Sequence, residues 1–365
     1  MDKSISITFL FPHPAQGPTG GYKVVYEYAN RFANDGWQVH IVYSGSIYWK
    51  RKSLWHKLTN IVRQIQSHLN GYSCKGWFNL DDRVKEHLTL SLNYRHVPKT
   101  DVYVATSPYT AYYLNDYPIS KKQKFYLIQG KEDWGPGLRA ILVDTYHYPM
   151  QKIVIAHWLK SLLKEEYDEG SELISNGLDF SKFSLTVPID NKQPFCISML
   201  YHEMVLKGCP MGFEALNIVK NKFSQLKVLL FGVPPRPSNL PDWYEYYQNP
   251  SDDEHNRINN EAAIYIGTSR QEGWSLTVCE AMMCGQAVAC TNIPGYTEVA
   301  INEKTAVLSP VDDAQALATN IIRLIEDDNL RKRIASNGLE YIQQFTWDSS
   351  YAKLKALLEQ EKPCC

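Results

Sequence analysis

No run of 18 or more apolar residues occurs in the sequence, so no helix is expected to span a membrane. Eight cysteines are present without a paired C-x-x-C spacing, and no His/Cys/Asp cluster has the spacing of metal ligands. The start, MDKSISITFLFP, lacks the basic segment and small-residue cleavage site of a secretory leader. The cysteines are therefore expected to be reduced thiols in a cytoplasmic protein. Charge of either sign is not in excess. The net charge is -1 and the pI about 6.8, so no global field draws the chain to nucleic acid, and no nucleic-acid partner is expected. Internal repeats and low-complexity tracts are absent.

What is present is ample core material: 365 residues, 44% of them hydrophobic, a length that favours two domains. The 24 tyrosines suit stacking on a sugar or a base, and suit an aromatic core equally well. The first half reads as repeated β-α units. Strands are expected at Ile5 to Phe11, Val39 to Val42, Asp101 to Thr106, Phe125 to Ile128, Ile153 to Ala156 and Glu172 to Ile174. Val24, Val25, Tyr28, Ala29 and Phe32 recur at helical spacing just after Gly20-Gly21. Consecutive glycines at a helix start let backbone N–H groups approach an anion, and they also serve a tight turn. Residues 70–96 read as irregular and polar. In residues 49–69, Leu54, Leu58, Ile61, Val62, Ile65 and Leu69 form one stripe, with Lys50, Arg51, Lys52, Lys57 and Arg63 unopposed by any acid. Such a helix can lie on an anionic membrane surface or pack on its own domain.

The expected boundaries are a first domain over 1–175, a polar linker over 176–194, a second domain over 195–343, and a last helix over 344–365. The second domain centres on YIGTSRQEGWSLTVCEAMMCGQAVACTNIPGYT, Tyr265 to Thr297. A short apolar strand, Ala262 to Ile266, leads into a polar turn, Thr268 to Gly273. A helix over Leu276 to Met283 is stopped by Gly285, and a second buried strand spans Ala287 to Cys290. Glu272 falls in the loop and Glu280 on the helix. Loops beyond the carboxyl ends of parallel strands are where open α/β sheets bind ligands.

This stretch resembles the donor-site signature of retaining GT-B glycosyltransferases, the large family 4 or "group 1" type that includes bacterial surface-polysaccharide enzymes. The signature is two glutamates with seven residues between them, here Glu272 and Glu280, with Ser269 before them and Gly273, Ala281, Met282 and Gly285 in place. Other segments agree: Gly20-Gly21, IAHWLKSLL, SNGLDF from Ser175 to Phe180, LKG at 206–208, and FTWDSSYAKLKALL. The resemblance implies an α/β GT-B fold, two Rossmann-like domains facing across a cleft, the last helix crossing back to the first. Two features depart from the pattern. The family commonly has an Arg before the Lys-Gly loop, where MLYHEMVLKG has Tyr201 and His202. The first-domain loop ATSPYTA has no His.

The resemblance also implies roles. Lys207 neutralises the diphosphate of a nucleotide-sugar donor, with Gly20, Gly21 and the amides of Ser275 and Leu276 as further donors. Glu280 grips the ribose hydroxyls, since a carboxylate accepts two O–H bonds well. Its alternative is a T-x-x-E capping box with Thr277. Glu272 contacts the donor sugar near the reacting carbon, where a fixed negative charge favours an oxocarbenium-like state; its alternative is to orient the sugar. Gly273 permits a tight turn between them. Glu132, Asp133 and Trp134, in a first-domain loop, are candidates for reading acceptor hydroxyls, or form a solvated loop. No cofactor is expected, and the resemblance implies no bound metal, since the family generally needs none and lacks the Asp-x-Asp pair of the other glycosyltransferase fold; the Asp-Asp pairs at 81, 252, 312 and 327 read as surface.

The expected function is transfer of a hexose-like sugar from a nucleoside-diphosphate sugar to a glycan or lipid-linked hydroxyl, with retention, in the building of capsule, lipopolysaccharide or another bacterial surface polysaccharide. The expected location is cytoplasmic, peripheral on the inner face of the cell membrane if the 49–69 stripe binds lipid. Two alternatives stay open: a degenerate sugar-nucleotide-binding module, and a nucleotide-sugar hydrolase or epimerase of the same fold.

Overall fold

Short β-branched and aromatic runs separated by glycine- and proline-bearing loops build two parallel sheets. The structure, a computed structural model, describes residues 4–15, 17–44, 73–131 and 144–360, together with Thr59, Val62 and Leu142. It divides into two compact units, residues 1–176 with 348–365, and residues 177–347. Of the expected features, Glu132, Asp133 and Trp134 lie outside the described residues, as does the 49–69 stripe apart from Thr59 and Val62. No described helix is long and apolar enough to cross a membrane.

The first unit contains β1 (Ser6–Phe11), α1 (Gly20–Asn34), β2 (Gln38–Ser44), β3 (Lys85–Thr89), β4 (Val102–Ala105), α2 (Pro108–Asn115), β5 (Lys124–Ile128), β6 (Gln151–Val154), α3 (His157–Tyr167) and β7 (Glu172–Leu173). Its strands pair in the order β3-β2-β1-β4-β5-β6-β7, every neighbour parallel. Burial on both faces explains why β5 is apolar at nearly every position. The chain builds outward from β1 in both directions, so β1 and β4 flank the point where strand order reverses.

The second unit contains β8 (Gln193–Leu200), α4 (Cys209–Lys222), β9 (Lys227–Gly232), β10 (Tyr244–Gln248), α5 (Asp252–Glu261), β11 (Ala262–Gly267), α6 (Leu276–Met283), β12 (Ala287–Thr291), α7 (Pro294–Thr297), β13 (Ala306–Ser309), α8 (Ala314–Glu326) and α9 (Asp328–Ile342). Its parallel order is β10-β9-β8-β11-β12-β13, and the reversal falls between β8 and β11. A core of Ile197, Met199, Leu216, Val228, Ile264, Ala289, Leu317 and Ile334, each fully buried, joins this sheet to α4, α8 and α9. Lys192 secures the strand entering that core. Its Nζ donates to the carbonyls of Asn259, Asn260 and Ala262, closing the end of α5, and burial lowers its pKa to about 8.

After α9 the chain returns to the first unit. The helix α10 (Trp347–Gln360) packs Tyr351 edge-on against Phe32, and Tyr351 and Lys355 both bond Asp35, at 2.7 and 2.6 Å. Three elements differ from the sequence expectation. The irregular, polar reading of 70–96 missed β3, and neither β10 nor α2 was anticipated. Both missed strands are sheet edges, which pair on one side only and carry polar residues freely.

Candidate active site

Lys207 and Glu272 come from loops that leave neighbouring strands. β8 ends at Leu200. The chain then makes a single 3-10 turn over Val205–Lys207, and Gly208 ends it with φ +60 before starting α4. β11, the parallel neighbour of β8, ends at Gly267, and the loop of residues 268–275 follows. Both loops therefore emerge at the carboxyl edge of the sheet, at its reversal point, where an open α/β sheet forms a crevice. The left-handed turn at Gly208 allows the loops to touch. A Cβ there would lie 2.1 Å from the carbonyl oxygen of Thr268.

Hydrogen bonds stitch the two loops. Thr268 Oγ1 donates to the Lys207 carbonyl at 2.7 Å, and the Arg270 N–H donates to the Leu206 carbonyl at 2.7 Å. On this frame Lys207 Nζ donates to Glu272 Oε1 at 2.7 Å, and Ser269 Oγ donates to the same oxygen at 2.7 Å. Both charged side chains are mostly buried, with 24% of Lys207 and 14% of Glu272 exposed. Ser269 is itself held, its N–H donating to Tyr296 Oη at 3.2 Å and its carbonyl accepting from Thr291 Oγ1 at 2.5 Å. Gly295 lets α7 close on this loop, since a Cβ there would sit 2.3 Å from the Glu272 carbonyl oxygen.

Glu280 lies on α6 and is buried. The capping alternative for it does not form. Ser275, not Thr277, is the N-cap of α6, and its hydroxyl accepts from the Val278 N–H. The Thr277 hydroxyl instead accepts from Tyr265 Oη at 2.9 Å. Burial, with the charges of Glu272 and Glu280 adding to it, pushes the Tyr265 phenol up and keeps it a neutral donor. Ser275 and Leu276 stand at the first turn of α6, where amides have no partner within the helix. Glu280 Oε2 lies 3.8 Å from Nδ1 of His255, on the first turn of α5.

Sequence reasoning did not single out Ser269 as a positioning group, nor His255 or Tyr296 at all. For Ser269 the signal was its place within the signature. His255 depends on α5 packing beside α6, and Tyr296 on α7 closing over the loop after β11, neither of which local sequence encodes. His202 occupies the Lys207 loop. Its Nδ1 accepts from the Met204 N–H at 3.0 Å, leaving the proton of the neutral ring on Nε2. Burial, then the Lys207 charge, hold it below the usual histidine range. Gly273 sits in a bend. The described glycines with positive φ are Gly36, Gly208 and Gly285, so the left-handed requirement in this site belongs to Gly208. Gly20 and Gly21 open α1 at the reversal point of the first unit, and Gln129 Nε2 donates to the Gly21 carbonyl at 3.1 Å. Among the described residues no group of three His, Cys, Asp or Glu side chains is placed to hold a metal.

A two-sheet α/β architecture with a charged pair at the second reversal point defines the class, and comparison with known proteins agrees. Residues 206–341 match the family described as Glycosyl transferases group 1, so the second unit carries a group 1 glycosyl transferase domain. The chain is 29% identical to the O-antigen chain mannosyltransferase B of Escherichia coli over 107 residues, 29% of this chain and 28% of that protein. It is 23% identical to the capsular polysaccharide biosynthesis glycosyltransferase CapM of Staphylococcus aureus over 216 residues, 52% of this chain and 55% of that one. The alignments thus span only about a quarter to just over half of these curated relatives. Among solved structures, Anabaena HepE in complex with UDP and glucose superposes with a TM-score of 0.71 at 15% identity, covering 98% of this chain and 100% of that one. The fold is GT-B.

Proposed function

We propose that the chain is a retaining glycosyltransferase that moves a hexose-like sugar from a nucleoside-diphosphate sugar to a hydroxyl of a glycan or lipid-linked acceptor. The observation that carries this reading is the convergence of Lys207 and Glu272 at the reversal point, a cation and a carboxylate 2.7 Å apart in a largely buried setting. In the transfer, the bond from the sugar C1 to the phosphate oxygen breaks and its electron pair leaves on the nucleoside diphosphate. A new bond forms from C1 to the acceptor oxygen, whose proton is released. Charge grows on the leaving phosphate while C1 becomes electron-poor. Lys207 meets the first demand and Glu272 the second, and a fixed pair costs no reorganisation as the charges develop.

The diphosphate competes with Glu272 for the ammonium, so donor binding draws on a cation already in place. Ser269 keeps the carboxylate oriented when that bond is shared. Glu280 takes the ribose hydroxyls, and the first-turn amides of α6 add donors to the phosphates. Transfer proceeds with no bound metal, so EDTA should leave the rate unchanged. The bacterial surface-polysaccharide setting has the support of the O-antigen and capsule relatives. A peripheral place on an anionic membrane has the support of the basic stripe in 49–69.

The test is ligand-detected NMR with UDP-, GDP-, dTDP- and CMP-sugars, repeated on Glu280→Ala. The expected result is one diphosphate donor class that binds and weakens in the variant. CMP-sugars, with one phosphate, should bind poorly. No donor binding to folded protein would overturn the reading.

A further inference from the structure

The proposed ribose carboxylate has a neighbour that the transfer reaction as described does not use. His255 stands on the first turn of α5, which follows β10, while Glu280 stands on α6, which follows β11. Two helices from different β-α units thus meet over one carboxylate. His255 Nδ1 lies 3.8 Å from Glu280 Oε2, and both side chains are mostly buried, 13% and 11% exposed. The imidazole is itself held in place. Its ring centroid is 4.3 Å from that of Phe231, at the end of β9, and 5.1 Å from that of Phe183, which it meets edge to face. The ring is thus packed between two aromatic side chains with Nδ1 beside the carboxylate, at an ion-pair separation longer than a hydrogen bond.

We infer that His255 is a positioning residue that orients Glu280 toward the ribose hydroxyls and so sets the preference for ribonucleotide over deoxyribonucleotide donors. This rests on the reading of Glu280 given above. A carboxylate grips two vicinal hydroxyls only when both oxygens lie in the plane they present, and each such charge-assisted bond is lost as that plane rotates. Phe231 and Phe183 supply the packing, and Nδ1 supplies the direction.

The experiment measures the affinity of the full chain for UDP and GDP and for their 2′-deoxy and 3′-deoxy counterparts by titration calorimetry. The variants are Glu280→Ala, His255→Phe, which keeps a ring between the two aromatics, and His255→Asn, which keeps a polar group near Nδ1. Wild type should favour the ribonucleotide by about 10- to 100-fold, the worth of hydrogen bonds to a charged group. Glu280→Ala should erase that preference. His255→Phe should cut it by about 5- to 10-fold with little change for the deoxynucleotide, and His255→Asn should recover part of it. A packing role alone would weaken all nucleotides equally. If Glu280→Ala erases the preference while His255→Phe keeps it, the inference falls and the reading of Glu280 stands. If Glu280→Ala leaves the preference intact, or wild type shows none, the reading of Glu280 fails and the inference falls with it.

Discussion

The two reversal points have the same topology and opposite chemistry. In the first unit, the chain leaving β1 reaches Gly20 and Gly21 at the start of α1, and the chain leaving β4 carries Thr106 and Ser107, all four uncharged. Their polar groups bond one another. Thr106 Oγ1 donates to the Leu10 carbonyl at 2.8 Å, and Ser107 and Thr110 form a reciprocal cap on α2. In the second unit, the loops after β8 and β11 bring a lysine and a glutamate together and hold them with Ser269. Parallel sheets supply a crevice wherever strand order reverses, and side chains decide what it can stabilise. A diphosphate with a departing sugar demands fixed charge, and only the second crevice offers Lys207 beside Glu272.

Removing that charge should have the largest effect. Lys207→Ala is expected to lower kcat/KM for sugar transfer by about 100- to 1,000-fold, the range for losing a group that faces developing charge. Lys207→Arg should recover little, since a planar guanidinium does not replace a compact ammonium in the 2.7 Å contact. Ser107→Ala, at the other crevice, removes a cap worth about 1 kcal/mol of stability and should leave donor affinity untouched. Steady-state kinetics with titration of the donor separates these outcomes. Equal losses at the two crevices would break the contrast.

The next effect concerns backbone contact. Gly208→Ala forces a non-glycine residue to φ +60 and sets its Cβ 2.1 Å from the Thr268 carbonyl oxygen. A backbone atom cannot swing aside, so a loss of about 3 kcal/mol is expected, visible as a lower Tm of the second unit by calorimetry. Gly21→Ala meets only the side-chain amide of Gln129, at 3.3 Å, and gains helix propensity in the first turn of α1. Its cost should stay within about 1 kcal/mol. A large loss at Gly21 with a small one at Gly208 would reverse the ranking.

The second unit was the more legible in sequence, for physical reasons. β11, β12 and α6 from Val278 onward are buried, so their apolar runs are continuous and end at real breakers such as Gly285, whose φ is +70. The edge strands β3 and β10, KEHLT and YEYYQ, have no such runs, because one flank of each is open and neither face is fully covered. Helix α2 follows a Ser-Pro start signal but carries tyrosines around its axis, so no apolar stripe announced it. Glu272 and Glu280 stood out because they match the glycosyltransferase signature that the stretch resembles. The contact of Glu272 with Lys207 spans 65 positions and exists only because β8 and β11 are neighbours. That of Glu280 with His255 exists only because α5 and α6 pack. Local pattern marks which residues carry chemistry, and strand order decides which of them meet.

The smallest expected effect separates the units by pH. Across β2 and β3 in the first unit, His40 Nδ1 and His87 Nε2 lie 2.9 Å apart. A neutral pair satisfies this contact with one proton between the rings, and protonation of both sets N–H against N–H. Burial, then the charges of His87 and Lys85, depress His40 to about 4, and burial followed by Lys85 lowers His87. An unfolded histidine titrates near 6.5. Between pH 6.5 and 4 the unfolded chain therefore binds protons that the native pair refuses, and unfolding free energy falls as pH falls. The contribution is complete above 6.5 and lost toward 4. Carboxylates act lower, since Asp81, held by Arg83 at about 2, loses its contribution only as pH falls below its ordinary value of 3.8. Hydrogen exchange at pH 7 and at pH 4.5 should show faster opening of β2 and β3 at the lower pH, measured against β12 and β13, after correction for intrinsic exchange rates. His87→Asn should flatten that difference even though it lowers stability at pH 7. An unchanged difference in His87→Asn would place the acid sensitivity elsewhere in the first unit.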